Sequence, residues 1–150
     1  MKGAVGQVWQ WLSDVRRGWN AWRRPRSLGE RGEALAARFL RRKGYTLIVR
    51  SDRGRLGEID IVAVEGRTLV FVEVKTRRSH AKGHPADAVD RRKQRKLTRL
   101  ALHFMKRHEL LENTRARFDI VAITWPKDAA AQIEHYENAF EAVGKWQMHS

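Results

Sequence analysis

The sequence predicts an α/β domain in which a mixed β-sheet is covered by helices on both faces. The first observation is a pair of β-branched runs, residues 59–64 and 68–74, joined by a short turn that is typical of an antiparallel hairpin. The second is that both runs are almost continuously apolar, as in strands buried on two sides. The third is the order helix, three strands, helix, strand, because a helical crossover returns the fourth strand parallel to the third.

Residues 1–26 differ in composition from the rest of the chain. Their apolar residues follow a helical spacing, and arginines cluster ahead of Pro25. Three interpretations compete: a helix docked on the domain or on a second copy, a basic amphipathic helix lying on a membrane or a nucleic acid, and a partly disordered extension. We assign residues 1–26 to a tryptophan- and arginine-rich amphipathic helical extension and residues 27–145 to the main domain.

The first helix of the domain begins with a capping box formed by Ser27 and Glu30. It is predicted to run to Lys43, with Gly44 as its stop. Its buried stripe consists of Leu35, Ala36, Phe39 and Leu40. Glu33 leans toward this stripe, so it is either a first-turn acid stabilised by the helix dipole or a third carboxylate facing the sheet.

A first strand over residues 45–50 and a basic loop over residues 51–57 are predicted to follow the helix. Arg53 and Arg55 of this loop either contact phosphate or are merely solvated.

The central hairpin carries the charges of greatest interest. With Glu65-Gly66 as the turn, Glu73 and Lys75 share one face of the sheet and Asp60 lies diagonally from Glu73. Such a charge group is often a solvated surface pair. Here it lies in the least polar segment of the chain, where an uncompensated carboxylate is costly. Lys75 offsets one negative charge, and a divalent cation held by Asp60 and Glu73 would offset the rest.

A basic loop over residues 76–86 and a second helix over residues 87–108 follow the hairpin. The helix is predicted to start at Asp87 or Asp90. Gln94 lies on the sheet-facing side of this helix, whose apolar stripe is Leu97, Leu100, Ala101 and Phe104. The basic residues of the loop and the early helix predict contacts with a phosphate backbone rather than simple solvation; they are Arg77, Arg78, Lys82, Arg91, Arg92 and Lys93.

The end of the chain predicts a further strand over residues 117–123, a short edge strand over residues 133–136 and a final turn over residues 138–143. Asp119 in the first of these strands lacks a following Glu-x-Lys, and we interpret it as structural.

The composition limits the classes to which the protein belongs. Thirty-one Lys and Arg oppose 17 Asp and Glu, which gives a formal net charge of +14 across 150 residues. This excess predicts a polyanionic partner, with nucleic acid first and an anionic membrane surface second. The lack of cysteine excludes disulfides and thiolate metal sites, and no apolar run is long enough for a spanning helix. No signal-peptide pattern is present, so we expect a cytoplasmic protein.

Asp60, followed by Glu73-Val74-Lys75 on the next strand, resembles the Asp…(Asp/Glu)-x-Lys signature of the restriction-endonuclease-like nuclease superfamily. Residues 57–60 and 71–77 more closely resemble the YraN-type family of uncharacterised bacterial proteins, which is similar to archaeal Holliday-junction resolvases. The similarity covers residues 28–142. It implies a restriction-endonuclease-like fold, of order αβββαβ, for residues 27–145.

The resemblance also implies roles for two helical residues and a substrate. Gly32-Glu33 matches the position of a helical glutamate beside the metal, and Gln94 matches a recurrent accessory glutamine. Branched or junction DNA would be the substrate, and a pair of symmetric cuts would require a homodimer.

These features together predict a metal-dependent endonuclease that hydrolyses DNA phosphodiester bonds with Mg²⁺ or Mn²⁺. The metal ligands would be Asp60, Glu73 and Glu33, and Lys75 would orient the attacking water or balance charge in the transition state. The chief rival is a nucleic-acid-binding protein that keeps the fold without catalysis. A third hypothesis is a membrane-surface or interaction protein acting through residues 1–26.

Overall fold

The computed structural model describes residues 27–79, 83, 87 and 89–144. Within this range the elements, in chain order, are α1 (Leu28–Arg42), β1 (Thr46–Gly54), β2 (Gly57–Glu65), β3 (Thr68–Arg77), α2 (Arg91–Arg107), β4 (Arg115–Thr124) and β5 (Gln132–Phe140). The predicted extension of residues 1–26, Lys82 and residue 145 lie outside the described residues.

The strands form one sheet in the order β1-β2-β3-β4-β5. Neighbouring strands are antiparallel except for β3 and β4, which run parallel with Phe71 opposite Phe118. Helix α2 makes the crossover between these two strands, as predicted from the element order. The predicted α/β class with a mixed sheet is confirmed, and the arrangement is consistent with a restriction-endonuclease-like fold.

The two helices cover opposite faces of the sheet. Helix α1 buries Ala36, Ala37 and Leu40 against a cluster that includes Val70 and Val72. Helix α2 buries its stripe against the other face, where the sheet contributes Phe71, Phe118 and Ile120 and the helix contributes Leu97, Leu100, Ala101 and Phe104. Strand β3 is therefore buried on both sides, which is why its sequence is almost continuously apolar. Neither described helix is long and apolar enough to cross a lipid bilayer.

The capping box predicted for α1 is confirmed, and of the two starts predicted for α2 the one at Asp90 is confirmed. Both hydrogen bonds of the Ser27–Glu30 capping box are present. Helix α2 begins at Arg91 rather than at residue 87. Its start is set by Asp90, whose Oδ1 accepts a 2.8 Å hydrogen bond from the Lys93 amide.

The predicted turn of the central hairpin is wrong by one residue. Glu65 pairs with Thr68, so the turn is Gly66-Arg67 and the glycine takes the first position with φ of 58°. Glu65 thereby stays in the strand, where its Oε2 accepts a 2.7 Å hydrogen bond from Arg117 Nη1. The register moves by two residues, and Ile61 lies opposite Val72 rather than Val70. Because side chains alternate with a period of two, this shift leaves the paired residues 61–65 and 68–72 on their predicted faces.

The segment predicted as a loop over residues 51–57 belongs to a second hairpin. Strand β1 continues to Gly54, which pairs with Gly57 and leaves Arg55-Leu56 as the turn. Gly57 has φ of 138°, and a Cβ there would lie 2.8 Å from Lys96 Cε, so glycine allows both the backbone conformation and the approach to α2.

The last strand is longer than predicted. Strand β5 spans Gln132–Phe140, so residues 138–140 belong to it and not to a final turn. Many residues of β5 are polar and exposed, so its sequence lacks the alternation of apolar and polar residues by which a strand is recognised. An edge strand tolerates this because one of its sides faces solvent.

Candidate functional site

The site lies where strands β2 and β3 separate. Their last paired residues are Ile61 and Val72, one position short of Asp60 and Glu73. Asp60 Oδ2 accepts a 2.8 Å hydrogen bond from the Val74 amide. A side chain thus takes the place of a backbone partner, and this contact holds the Asp60 carboxylate beside β3.

One carboxylate oxygen of Glu73 lies near two lysines, and the other has no hydrogen-bond partner among the described residues. Its side chain is 4% exposed, and Oε1 lies 3.4 Å from Lys75 Nζ and 3.1 Å from Lys93 Nζ. Oε2 is buried and has no hydrogen-bond partner among the described residues. Buried carboxylate oxygens are normally satisfied, so this oxygen is an exception within the described part of the chain.

Asp60 also belongs to a group of three carboxylates. Glu33 from α1 and Glu58 and Asp60 from β2 each offer a carboxylate oxygen, and the three oxygens lie within 4.8 Å of one another. Ser51 Oγ donates a 2.9 Å hydrogen bond to Glu33 Oε2, and Glu58 Oε1 lies 3.2 Å from Arg53 Nε. We refer to Glu33, Glu58, Asp60 and Glu73 below as the acidic cluster.

The crowding of these carboxyl groups changes their acidity. Burial raises the pKa of Asp60 to about 8, with the Glu73 charge as the next contribution and the Val74 hydrogen bond as a partial offset. Burial also raises the pKa of Glu33, against the hydrogen bond from Ser51 and with help from the Glu58 charge. The acidic cluster therefore holds more negative charge than its surroundings accommodate easily.

The approach of α1 to the sheet depends on Gly32. A Cβ at this position would lie 1.8 Å from Thr76 Oγ1 and 2.8 Å from Thr76 Cβ. Only glycine allows this approach between the helix and β3, and the approach brings Glu33, the next residue, to the acidic cluster.

Two residues of α2 that were predicted to act at the site, Lys93 and Gln94, make different contacts. Lys93, predicted as a phosphate contact, lies against Glu73. Gln94 Nε2 donates a 3.0 Å hydrogen bond to the Val89 carbonyl oxygen, a contact that ties the chain ahead of α2 to its first turn.

The predicted basic residues are distributed around the site. Arg53, Arg55, Arg91 and Arg92 are exposed. Arg78 Nη1 donates a 3.3 Å hydrogen bond to the Trp125 carbonyl oxygen. Arg77, at the end of β3, is partly buried, and its carbonyl oxygen accepts from the Trp125 amide.

Sequence analysis missed Glu58 and the position of Lys93. Glu58 and Asp60 are two residues apart on one strand, and this period-two spacing was a signal that they share a face. Lys93 had no comparable signal, because its contact depends on how α2 lies across β3.

Comparisons with known proteins agree with the resemblance seen in the sequence. A family model described as uncharacterised protein family UPF0102 matches residues 32–123. A UPF0102 protein of Rhodopirellula baltica is 52% identical over 121 residues, which cover 78% of this chain and 72% of the relative. A UPF0102 protein of Geobacter sulfurreducens is 52% identical over 114 residues, covering 76% of this chain and 88% of the relative. The chain therefore belongs to protein family UPF0102, the YraN-type family.

Proposed function

We propose that this protein is a metal-dependent endonuclease that hydrolyses phosphodiester bonds of DNA. The observation that carries the proposal is the meeting of Asp60 and Glu73 at the opening between β2 and β3, with Glu73 Oε2 buried and unpartnered and Lys75 beside it. Two acids and an amine so placed match the needs of phosphodiester hydrolysis.

The donor set fits a hard divalent cation. All available donors are carboxylate oxygens, the ligands preferred by Mg²⁺ and Mn²⁺, and the unpartnered Glu73 oxygen provides a free position. Asp60 and Glu73, with Glu33, would hold the ion, and Glu58 is an added candidate. A bound divalent cation would lower the pKa of a coordinated water and polarise a phosphate oxygen.

The remaining steps belong to side chains of the protein. Lys75, with its side chain 31% exposed, reaches both Glu73 and solvent, so its ammonium group can orient the attacking water or balance charge on the phosphate. The exposed arginines at the start of α2, Arg91 and Arg92, would hold the nucleic-acid backbone without reading bases. The family resemblance extends the proposal to branched or junction DNA and to a homodimer that makes paired cuts.

The test is cleavage of junction, flap, single-stranded and linear DNA with Mg²⁺, Mn²⁺ or EDTA. We expect metal-dependent products from the wild type and a loss of roughly 100-fold or more in Asp60→Asn and Lys75→Ala. Asp128→Asn changes an exposed acid in the β4–β5 connection and serves as the control, which should cleave normally. Cleavage that persists equally in the Asp60 and Lys75 variants would show a contaminating nuclease and contradict the proposal.

One observation favours a second function, nucleic-acid binding without turnover. Most of the acidic cluster has protein partners: Ser51 for Glu33, Arg53 for Glu58 and the Val74 amide for Asp60. A site compensated in this way can persist without an ion. This alternative predicts salt-dependent DNA binding in EDTA together with no cleavage under any metal tested.

A further inference from the structure

The tip of the β1–β2 hairpin presents an apolar side chain to solvent. Pairing continues up to Gly54 and Gly57, so Arg55 and Leu56 alone form the turn. Leu56 is 57% exposed, more than any other large hydrophobic residue in the described part of the chain. The neighbouring Arg55 is also exposed, and the Arg53 side chain is 72% exposed. An apolar point is therefore bordered by positive charge.

The base of this hairpin contacts both helices. Ser51 Oγ donates to Glu33 on α1, and Arg50 Nη2 donates to the Glu30 carbonyl oxygen of the same helix. On the other side of the sheet, Asp52 Oδ2 lies 3.2 Å from Arg107 Nη2 of α2. Side chains at the base of the hairpin thus contact both helices, and Leu56 lies beyond this base at the turn.

The same hairpin leads directly into the acidic cluster. Glu58 and Asp60 follow Leu56 on strand β2. A strand advances roughly 3.3 Å per residue, so Leu56 and Asp60 are separated by about 13 Å along the strand. Whatever the tip contacts is therefore set at a defined distance from the carboxylates.

We propose that Leu56 is a wedge that enters the base stack of duplex DNA at an interruption such as a branch point, while Arg53 and Arg55 contact the flanking phosphates. Apolar side chains next to basic ones are used in this way to unstack a base step. Unstacking is least costly where pairing is already interrupted, so a single leucine can favour branched over continuous DNA. The net charge of +14 supports a polyanion as the partner. The inference rests on the proposed function for its substrate class, but binding can be measured without catalysis.

The experiment measures binding of the full chain in EDTA, so cleavage plays no part. The probes are a three-way junction and a continuous duplex of the same length, each with 2-aminopurine at the position of the branch. Wild type should bind the junction more tightly and raise its 2-aminopurine fluorescence. Leu56→Ser should lose about tenfold in junction affinity, with less than about a twofold change for the duplex, and should abolish the fluorescence rise.

Two further variants make the result specific. Leu111 is the other exposed large hydrophobic residue of the described chain, at 49%, so Leu111→Ser removes a similar exposed leucine from another place and should change neither signal. Leu56→Met keeps an apolar tip and should retain junction preference. Melting temperatures should match across the set, because all these side chains are exposed.

Several outcomes would overturn the wedge. Equal loss of junction and duplex binding in Leu56→Ser would reduce the tip to a general contact, and the same loss in Leu111→Ser would make it nonspecific. If Leu56→Ser keeps its preference for junction DNA but no longer binds anionic lipid vesicles, the tip contacts a membrane surface instead.

The wedge and the endonuclease can fail separately. If Leu56→Ser cleaves DNA with unchanged junction preference, the wedge fails and the endonuclease stands. If wild type never cleaves but shows the expected binding pattern, the wedge stands and the endonuclease fails.

Discussion

Asp60 is a residue whose charge opposes folding. Its pKa rises from an ordinary value of 3.8 to about 8, chiefly through burial and then through Glu73. Between these two pH values the folded protein keeps a proton that the unfolded chain has released, so this group's contribution to stability is full below pH 3.8 and is lost as the pH rises toward 8. The protein thus holds a carboxylate where an uncharged residue would be more stable, which is typical of a functional site.

We therefore expect Asp60→Asn to be more stable than wild type in EDTA. The asparagine keeps an acceptor for the Val74 amide and removes the buried charge, so the gain at pH 8 should be about 1 kcal/mol or more. Urea unfolding from pH 4 to pH 8 measures it, and the difference between the two proteins should grow with pH. A constant difference over this range would contradict the assignment of the raised pKa to Asp60.

Lys93 should contribute to stability through Glu73. The substitution Lys93→Met removes the nearer of the two lysines and leaves a nearly buried carboxylate with Lys75 alone. We expect a loss of about 1–3 kcal/mol in the free energy of unfolding, measured in urea at pH 7. Lys106→Met changes an exposed lysine of the same helix and should stay within about 0.5 kcal/mol of wild type. Equal effects of the two substitutions would show that the Lys93–Glu73 contact is energetically unimportant.

The acids could be predicted from the sequence more readily than their partners. Asp60 and Glu73 stand out because charged residues are rare in an apolar run, and strand alternation then indicates a shared face. Lys93 lies among many basic residues of α2, and its sequence does not distinguish it from Arg91 or Arg92. Its contact with Glu73 depends on the placement of a helix over the sheet, which is a tertiary property without a local pattern.

At the scale of elements, the approach of α1 to β3 depends on a single missing side chain. Gly32→Ala would place a Cβ 1.8 Å from Thr76 Oγ1, so the helix must shift and carry Glu33 with it. We expect a loss of about 1–3 kcal/mol in stability. Gly29→Ala is the matched control, because its Cβ would have Ser27 Oγ at 3.9 Å as its nearest neighbour.

Urea unfolding of both alanine variants checks this expectation, with DNA cleavage as a second measurement. Under the proposed function, Gly32→Ala should cleave more slowly through displacement of Glu33, and Gly29→Ala should cleave normally. Similar free energies of unfolding for the two variants would mean that α1 can move away from β3 at little energetic cost.

Strands β4 and β5 are joined by a buried polar network centred on Asp119. Asp119 is fully buried and accepts hydrogen bonds from Arg117 Nε at 2.9 Å and the Asn138 amide at 2.9 Å, and its Oδ2 lies 2.8 Å from His135 Nε2. Burial alone would raise its pKa, but the hydrogen bonds from His135, Arg117 and Asn138 outweigh burial and lower it. These contacts support a structural interpretation of Asp119.

Asp119→Asn should therefore destabilise the protein by about 3 kcal/mol at pH 7, because the buried carboxylate is a counter-charge of Arg117 and a hydrogen-bond partner of His135. A lowered pKa means that the contribution is present above the ordinary value of 3.8 and is lost as the pH falls through the lower value. Thermal unfolding from pH 7 to pH 2.5 should show the gap between wild type and variant closing at the acid end. A gap that stays constant would place the effect in packing rather than in charge.

Element boundaries were harder to predict than element types. The central hairpin was recognisable from its two β-branched runs, yet its turn moved by one residue because Gly66 occupies the first turn position and Glu65 pairs with Arg117. That pairing joins residues far apart in the chain. The extension of β1 to Gly54 was hidden by charged residues, since a hairpin that projects into solvent needs no apolar alternation.

For the whole molecule, the sheet places two different surfaces on one strand. The hairpin tip at Leu56 directly precedes β2, and β2 carries Glu58 and Asp60 of the acidic cluster; side chains of β1 contact both α1 and α2. The helices therefore contact the two faces of a hairpin that joins the proposed DNA contact to a set of carboxylates. This joint placement combines the wedge and the endonuclease into one geometric prediction.

The separation of about 13 Å between Leu56 and Asp60 corresponds to about four base pairs, because B-form DNA rises roughly 3.4 Å per base pair along the duplex axis. If Leu56 occupies the branch point, scissile phosphates should cluster at about that distance from it. End-labelled junctions, cleaved with Mg²⁺ or Mn²⁺ and resolved at single-nucleotide length, give the positions. Leu56→Ser should broaden the distribution by releasing the branch from the tip, and Leu111→Ser should leave it sharp. Wild-type cuts scattered without relation to the branch would show that the hairpin does not position the substrate, since a fixed support permits only a narrow range of spacings.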